Sequence, residues 1–293
     1  MTQEFKKVGL IGKFGDPSVA TTLLALSEFL QTNQCEVWLE SGTAKDMADH
    51  NLATATLEQI GKQCDLAITV GGDGTLLHSA RTLVDYDIAL LGVNLGRLGF
   101  LVDVSPIGMF TDIAQVLAGN FEEEHRIMLS ATIVNGKKES HPVHAFNDVV
   151  VHKWEVARMI ETETYINGRL LNTLRSDGLI VSTPTGSTAY ALSSGGPIIE
   201  PDMDAMVIVP ISPHSMSYRP IVIDGKSKIE IMVHDMPTMH AQVSCDGQIN
   251  MVLQPGDRVV IQRTQNRVRV IHPSEHDYYQ VLRAKLHWGE HLT

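Results

Sequence analysis

The chain has 293 residues, a length that suits about two average domains. Lysine and arginine number 23 against 34 aspartate and glutamate, so the net charge is −11, and such a surface argues against binding to nucleic acids or anionic membranes. The hydrophobic fraction of 43% and the charged fraction of 19% are typical of globular proteins and exclude a disordered or fibrous chain.

The first 120 residues alternate short apolar β-type runs with helical patterns, which predicts a layered α/β domain with a mostly parallel sheet. The predicted strands cover residues 7–11, 36–40, 66–70 and 88–93. The predicted helices cover residues 18–31, 57–63, 75–84 and 107–117. The glycine-containing segment 9–15 is neither GxGxxG nor a Walker A sequence, so we interpret it as a loop that ends the first strand.

From about Phe121 the pattern changes to short segments with period-two alternation, which predicts antiparallel β structure. Tight-turn pairs of an Asn or Asp followed by Gly separate these segments, at 135–136, 167–168, 224–225 and 246–247. One exception, residues 187–194, lacks alternation and predicts a helix behind a glycine turn. The last 20 or so residues show little alternation, and their structure is the least predictable.

The cysteines and the apolar runs predict a soluble cytoplasmic protein. Cys35, Cys64 and Cys245 are too few and too scattered for a disulfide framework, and they form no CxxC pair. The apolar run 8–11 is far shorter than a signal-peptide core, and no run reaches the ~18 residues of a membrane span. The 13 histidines show neither HExxH nor HxH spacing, so no dedicated metal site is predicted.

The strongest chemical signal is the sequence GGDGT at 71–75, between a predicted strand and a predicted helix. Glycines there let the backbone approach a ligand closely, and the start of a helix favours an anion, so phosphate binding is predicted. An acid in such a turn suits a general base, or a ligand of a magnesium-bridged phosphate, in phosphoryl transfer to an alcohol. The alternative is that Asp73 only caps the helix.

Two further segments carry polar groups. Residues 175–197 concentrate small hydrogen-bonding side chains, one phenol and bend-forming residues, which suit a polar planar ligand or, equally, a loop with local turns and a capped helix. Asn147 and Asp148 precede an apolar run, where an amide and a carboxylate can hold a ribose and an amino group together. Such a pair before a strand is also common as a simple turn.

Taken together, these motifs resemble the NAD kinases, in matching order and over nearly the whole chain. The motifs are GGDGT at 71–75, NLGRLGFL at 94–101, Asn147-Asp148 and the stretch 177–197. GGDGT alone is only moderately specific, because lipid kinases of the diacylglycerol type and phosphofructokinases carry similar loops. The segment TPTGSTAY at 183–190 is much more specific.

The resemblance implies a Rossmann-like α/β domain over 1–120 and a β-sandwich, dinucleotide-binding domain over 121–271, with residues 272–293 packing back on the first domain. It also implies Mg²⁺-dependent transfer of the γ-phosphoryl group of ATP to the 2′-hydroxyl of the adenosine ribose of NAD, which produces NADP. Homo-oligomers, dimers or tetramers, and inhibition by reduced cofactor are further implications.

By similarity, Asp73 is the catalytic base and also contacts the ligand. The other residues that the resemblance assigns to ligand binding are Gly74, His78, Asn147, Asp148, Arg158, Arg175, Asp177, Thr188, Ala189, Tyr190, Ser193 and Gln248. The family pattern usually has Asn-Glu where this chain has Asn147-Asp148, so the carboxylate is one methylene shorter and its reach is reduced.

Two other functions compete with this one. A lipid kinase would need a greasy pocket or a basic amphipathic face, and the sequence has neither, while the net charge of −11 opposes an anionic membrane. A non-catalytic dinucleotide sensor on the same fold would have no use for an acid in the phosphate loop.

Because two polyphosphates would meet in an acidic protein, Mg²⁺, backbone N–H groups and a few arginines must compensate their charge.

Overall fold

The structure is a computed structural model that describes residues 5–13, 15–47, 50–96, 99–102, 104–154, 159–234, 241–254 and 256–289. The chain forms two compact units. The first consists of Met1–His125 and Val268–Thr293, and the second consists of Arg126–Arg267. The C-terminal segment therefore belongs to the same unit as the N-terminal part of the chain.

The strands are numbered in chain order. They are β1 Lys7–Gly12, β2 Glu36–Glu40, β3 Ala53–Ala55, β4 Leu66–Gly71, β5 Ala89–Asn94, β6 Phe121–Arg126, β7 Leu129–Asn135, β8 Lys138–Glu139, β9 Val143–Ala145, β10 Asp148–Lys153, β11 Ile160–Ile166, β12 Arg169–Ser176, β13 Gly178–Ser182, β14 Ala205–Ile211, β15 Ile221–Asp224, β16 Ile229–Val233, β17 Ala241–Cys245, β18 Ile249–Leu253, β19 Arg258–Arg263 and β20 Val268–Pro273.

The helices are numbered in the same way. They are α1 Ala20–Thr32, α2 Ser41–Lys45, α3 Leu57–Gln63, α4 Asp73–Leu83, α5 Met109–Leu117, α6 Tyr190–Ser193 and α7 Tyr278–Leu286. Short 3-10 turns cover Pro17–Val19, Val84–Tyr86 and Thr185–Thr188. Among the described residues, no helix is both long and apolar enough to cross a bilayer.

The first unit is built on a seven-stranded sheet in the order β3-β2-β1-β4-β5-β20-β6. The pairs from β3 to β20 are parallel. All residues of β4 and β5 are buried, as expected for parallel strands that are covered on both faces. On one face, Leu23, Leu26 and Leu30 of α1 pack into the core because their spacing puts them on one side of the helix.

The direction of strand order reverses between β1 and β4. From β1 the chain moves to β2 and β3 on one side, and β4 and β5 then extend the sheet on the other side. The carboxyl ends of β1 and β4 lie side by side there, and the backbone N–H of Lys13 donates to the carbonyl of Val70 at 3.0 Å. Open α/β sheets bind their ligands at this kind of topological switch point.

The second unit contains two antiparallel sheets. One has the order β15-β14-β13-β10-β17-β18, and the other has the order β12-β11-β16-β19-β7-β8 with β9 paired to β7. Side chains of β10 alternate between the two faces of its sheet and so contribute to two hydrophobic clusters. Val149 and Val151 pack between the two sheets, while Val150 packs with Ala191 and Ile199 on the opposite face. The predicted fold class, an α/β domain and a β-sandwich domain, is confirmed.

The structure differs from the sequence expectations at several boundaries. The helix expected at 75–84 begins at Asp73, and the helix expected at 107–117 begins at Met109. The short elements α2 and β3 were not predicted, because five and three residues are too few to show a period. The strand that starts at Phe121 belongs to the sheet of the first unit, whereas the sequence placed residue 121 in the β-sandwich domain. Period-two alternation predicts a strand but does not reveal which sheet the strand joins.

Candidate functional site

The glycine turn after β4 is held by close packing. A Cβ added to Gly71 would lie 2.5 Å from the Oγ1 of Thr75 and 3.2 Å from the Cβ of Lys13, so only glycine fits without displacing the turn. Gly72 is the N-cap of α4, and Asp73 is the first helical residue. The positive end of the helix dipole therefore lies at this turn, where it favours an anion.

Asp73 is held from outside its own helix. Its carboxylate accepts hydrogen bonds from the backbone N–H of Phe100 at 3.0 Å and from that of Leu101 at 3.2 Å. Gly99 lies against the same carboxylate, since a Cβ on Gly99 would come within 1.9 Å of Oδ1 of Asp73. The contacts span 27 and 28 residues of sequence, so Asp73 does more than cap α4 locally.

Lys13 and His78 are two charged or titratable neighbours of this turn. Lys13, in the segment that we interpreted as a simple loop, lies beside Gly71 at the switch point and brings a cation there, paired with Asp16 at 3.0 Å. The available signal was a Gly-Lys pair directly after a predicted strand. His78 lies one turn into α4 and is exposed, and partial desolvation together with the Arg81 guanidinium lowers its pKa.

The second unit contains a cavity of about 320 Å³ that is lined by residues of the neighbouring strands β10 and β17 and of the loops that flank them. It brings together four of the predicted site residues, Asn147, Asp148, Ala189 and Tyr190, with Val150, His152, Ser244, Asp246 and Gly247. Tyr190 is 46% exposed and therefore accessible to a ligand. An apolar wall with a few convergent polar groups is typical of a small-molecule site.

Asp148 is the acid of this cavity. The residue is only 4% exposed, and burial, with a smaller contribution from the negative charge of Asp246, raises its pKa to about 7. Among the residues that the structure describes, none forms a hydrogen bond or ion pair with its carboxylate. A ligand that offers hydrogen-bond donors would meet an acceptor that the protein itself leaves unused.

Asp246 positions the backbone on which Asn147 and Asp148 lie. One carboxylate oxygen of Asp246 accepts from the N–H of Asn147 at 2.7 Å and of Asp148 at 3.2 Å, and the other accepts from Phe146 at 3.0 Å. From the sequence, Asp246 is predicted only as part of a tight turn. Its positive φ and that of Gly247 fit this turn, but the turn alone gives no sign of partners about 100 residues away.

The structure shows what the glycine and the hydroxyls in and beside the segment TPTGSTAY at 183–190 contact. A Cβ on Gly186 would lie 2.1 Å from the carbonyl oxygen of Asn147, so the two backbones touch. The hydroxyl of Thr183 donates to the carbonyl of Phe146 at 2.6 Å, and the hydroxyl of Ser182 donates to that of Asn147 at 3.1 Å. These buried hydroxyls bind the protein's own backbone, which places Ala189 and Tyr190 at the cavity.

The remaining predicted residues of the second unit are not among those that line this cavity. Asp177 precedes β13 and forms an ion pair with Lys153 at 2.6 Å, at the opposite end of the β10–β13 pair from Asp148, roughly 17 Å away at 3.4 Å per residue. Arg175 is exposed near Glu161. Thr188 and Ser193 flank the cavity residues in sequence, and Gln248 is exposed in the β17–β18 turn. Arg158 lies outside the described residues.

Comparison with known proteins identifies the family. The model of the ATP-NAD kinase N-terminal domain matches residues 8–121, and that of the ATP-NAD kinase C-terminal domain matches residues 146–273. The chain belongs to the NAD kinase family. The resemblance drawn from the motifs is therefore confirmed, and the protein is an enzyme of this family.

Full-length relatives agree with this assignment. The NAD kinase of Nitrosococcus oceani is 51% identical over 292 residues, with all of both chains covered. The NAD kinase of Chromohalobacter salexigens is 45% identical over 290 residues, covering 99% of each chain. These matches extend through both units, so both carry the NAD kinase pattern.

Two solved structures of the NAD kinase family share the fold. Yeast NADH kinase complexed with NADH aligns with a TM-score of 0.87 at 25% identity, covering 99% of this chain and 90% of the yeast chain. An NAD kinase from Archaeoglobus fulgidus in complex with ATP aligns with a TM-score of 0.76 at 25% identity, covering 96% and 98% of the two chains.

Proposed function

We propose that this protein transfers the γ-phosphoryl group of ATP to the 2′-hydroxyl of the adenosine ribose of NAD, producing NADP, with Asp73 as the general base. The observation that carries the proposal is the carboxylate of Asp73, held by the N–H groups of Phe100 and Leu101 at the first turn of a helix that follows a glycine turn. An acid oriented by the backbone beside a phosphate-binding turn suits proton removal from an alcohol.

The hydrogen bonds to Asp73 leave it able to act. A carboxylate has about four lone-pair sites, and two of them are used by Phe100 and Leu101, so others remain for a hydroxyl proton. The transition state of phosphoryl transfer is loose, and the hydroxyl needs to lose its proton only late. A carboxylate of ordinary basicity is therefore sufficient, and the main contribution of the protein is orientation.

The cavity of the second unit is proposed to bind NAD. The amide of Asn147 offers donors and an acceptor, the carboxylate of Asp148 accepts when ionised, and the exposed ring of Tyr190 offers a surface for stacking. This combination suits a nucleoside, which presents hydroxyls, an amino group and a planar ring. Similarity to the family is the basis for six further proposed contacts with the dinucleotide, those of Arg158, Arg175, Asp177, Thr188, Ser193 and Gln248.

A divalent cation, Mg²⁺ or a similar ion, is proposed to accompany ATP. When bound it would neutralise charge on the transferring phosphates. The residues at the glycine turn fit such an ion, because Mg²⁺ is usually held by one or two carboxylates together with substrate phosphates, and Asp73 keeps free acceptor positions. The net charge of −11 makes charge compensation by the ion and by Lys13 more important.

Three further properties are proposed from family resemblance and composition. The protein acts as a homo-oligomer, a dimer or a tetramer, and is inhibited by reduced cofactor. It works in the cytoplasm, in keeping with its three buried cysteines, which form no disulfide. Size-exclusion chromatography with light scattering measures the subunit number, and activity with added NADPH measures the inhibition.

The decisive experiment is incubation of the purified protein with NAD, ATP and Mg²⁺, followed by an enzymatic assay specific for NADP. We expect ATP-dependent NADP formation that stops when EDTA is added. Parallel reactions with NADH, polyphosphate or diacylglycerol define the substrate range and test the lipid-kinase alternative. Calorimetric binding of NAD without NADP formation would instead favour a dinucleotide sensor.

A further inference from the structure

Three side chains that the proposed reaction does not use converge in the first unit. His272 is in strand β20, His276 is in the turn between β20 and α7, and Glu124 is in the neighbouring strand β6. The side chains are 1%, 6% and 16% exposed, respectively. The ligand atoms of all three lie within 4.8 Å of one another.

The distances suit coordination of one ion. Nε2 of His272 lies 3.4 Å from one oxygen of Glu124, and Nε2 of His276 lies 4.0 Å from the other. In a tetrahedral zinc site with bonds of 2.0–2.1 Å, neighbouring ligand atoms are about 3.3–3.4 Å apart. The three groups therefore need only a small contraction to surround a metal ion.

The backbone brings the two imidazoles to the same side. Their rings are stacked, with centroids 3.9 Å apart and planes inclined by 19°. The turn that joins them is closed by a hydrogen bond from the N–H of His276 to the carbonyl of Pro273 at 2.9 Å. Both Nε2 atoms thus approach the carboxylate of Glu124, as in a two-histidine, one-carboxylate ligand set.

We propose that Glu124, His272 and His276 bind a divalent transition-metal ion of the zinc class. Imidazole nitrogens with one carboxylate favour zinc over the oxygen-preferring Mg²⁺ and Ca²⁺. Because the ligands come from two strands and from the turn before α7, the bound ion fastens the C-terminal helix to the first sheet. The proposal goes beyond the proposed function, since none of the three residues is assigned to NAD or ATP.

The proposal departs from the expectation of no dedicated metal site. Local motifs do not identify this cluster because Glu124 lies far from the two histidines in sequence. His272 and His276 have the histidine spacing of HExxH, but Pro273 stands where that motif has its Glu. Only the pairing order of β20 and β6 brings the acid to the histidines.

The first test uses the intact wild-type chain. After treatment with EDTA and dialysis into metal-free buffer, the protein is titrated with ZnCl₂ against a chromophoric chelator, and its thermal unfolding is followed with and without Zn²⁺. We expect one tightly bound Zn²⁺ per chain and a higher Tm, with no such increase from the same concentration of Mg²⁺. Absence of a stoichiometric site in this titration overturns the proposal.

Variants then assign the site. Loss of an outer partner of a metal ligand typically weakens binding 10–100-fold, so loss of a ligand in His272→Gln or His276→Gln is expected to weaken it at least about 100-fold. His125→Gln is the matched control, because His125 lies beside Glu124 in β6 but its ring is 56% exposed. Circular dichroism establishes that each variant is folded, and His276→Gln decides alone if the more buried His272→Gln does not fold. Unchanged zinc binding in a folded His276→Gln variant overturns the assignment.

Discussion

Asp73 in the first unit and Asp148 in the second are both aspartates that the sequence predicts as functional, but their surroundings are opposite. Asp73 is half-buried and accepts two backbone N–H groups, from Phe100 and Leu101. Asp148 is buried at the wall of a cavity, and its carboxylate has no hydrogen-bond partner among the described residues. Burial and the charge of Asp246 raise the pKa of Asp148 to about 7.

The difference separates two tasks that one residue type can perform. A carboxylate that the backbone orients is ready to receive a proton from a fixed direction, which is what a catalytic base needs. A buried carboxylate without partners is costly to ionise, so it gains most from a ligand that brings donors. The comparison therefore predicts that changes at Asp73 act on turnover and that changes near Asp148 act on binding.

The largest expected effect is that of Asp73→Asn. An amide cannot accept the hydroxyl proton as a base, so we expect kcat to fall by about 10³-fold or more while NAD still binds. Steady-state kinetics and calorimetry with NAD measure the two quantities. Asp85→Asn, an exposed aspartate just after α4, is the control and should retain turnover. Wild-type turnover in Asp73→Asn would remove Asp73 from the proposed role.

The next effect concerns the backbone beneath Asp148. Asp246→Ala removes the acceptor of three backbone N–H groups, and bonds to a charged acceptor contribute about 1.5–3 kcal/mol each. Because the three bonds are only part-buried and two of them share one oxygen, their contributions do not add in full. We expect a loss of about 3 kcal/mol in the free energy of unfolding and a KM for NAD raised about 100-fold. Asp224→Ala, in another Asp-Gly turn, removes only a local bond to the N–H of Lys226 and should change both far less. A change in kcat alone would contradict the division between binding and turnover.

A smaller effect is expected when Asp73 is displaced without being changed. A methyl group at Gly99 would overlap Oδ1 of Asp73, whereas one at Gly96 would meet no atom within 4 Å. We expect Gly99→Ala to lower kcat about 10- to 100-fold by misplacing the carboxylate, and Gly96→Ala to leave it nearly unchanged. Equal kcat values for the two variants would show that the orientation of Asp73 does not limit turnover.

The smallest effect is a pH dependence that Asp148→Asn abolishes. The pKa of Asp148 is about 7 in the folded protein against an ordinary 3.8, so the folded protein keeps this proton up to a higher pH than the unfolded chain does. The contribution of Asp148 to stability is therefore lost as pH rises through 7. Between pH 6 and pH 8 we expect the free energy of unfolding of wild type to fall by about 1 kcal/mol relative to the variant. Urea denaturation at the two pH values measures this difference.

The ionisation of Asp148 also predicts that the affinity for NAD depends on pH. Only the ionised carboxylate of Asp148 is a pure acceptor, so the affinity of wild type for NAD should rise about tenfold between pH 6 and pH 8. Asp148→Asn should show a flat profile over this range, measured by calorimetry. A tenfold rise that persists in Asp148→Asn would assign the titration to another group.

Local patterns in the sequence predicted much of the fold. The strands 36–40 and the helix 57–63 match Glu36–Glu40 and Leu57–Gln63 of the structure, because apolar periodicity and capping residues are read within one segment. In Leu57–Gln63 the side chains of Thr56 and Gln59 form a capping box. Short elements such as Ala53–Ala55 were missed, since their backbone is stabilised by a neighbouring strand rather than by their own sequence.

The sequence alone determined the family, the glycine turn and the identity of the acids at 73 and 148, because these depend on residue type and order. Only the tertiary structure decided which groups surround those acids: Phe100 and Leu101 at Asp73, and Asp246 beside Asp148. The same is true of Glu124 beside His272 and His276. The physical reason is that hydrogen bonding, burial and charge act over a few ångströms of space, and packing brings together residues that are far apart along the chain.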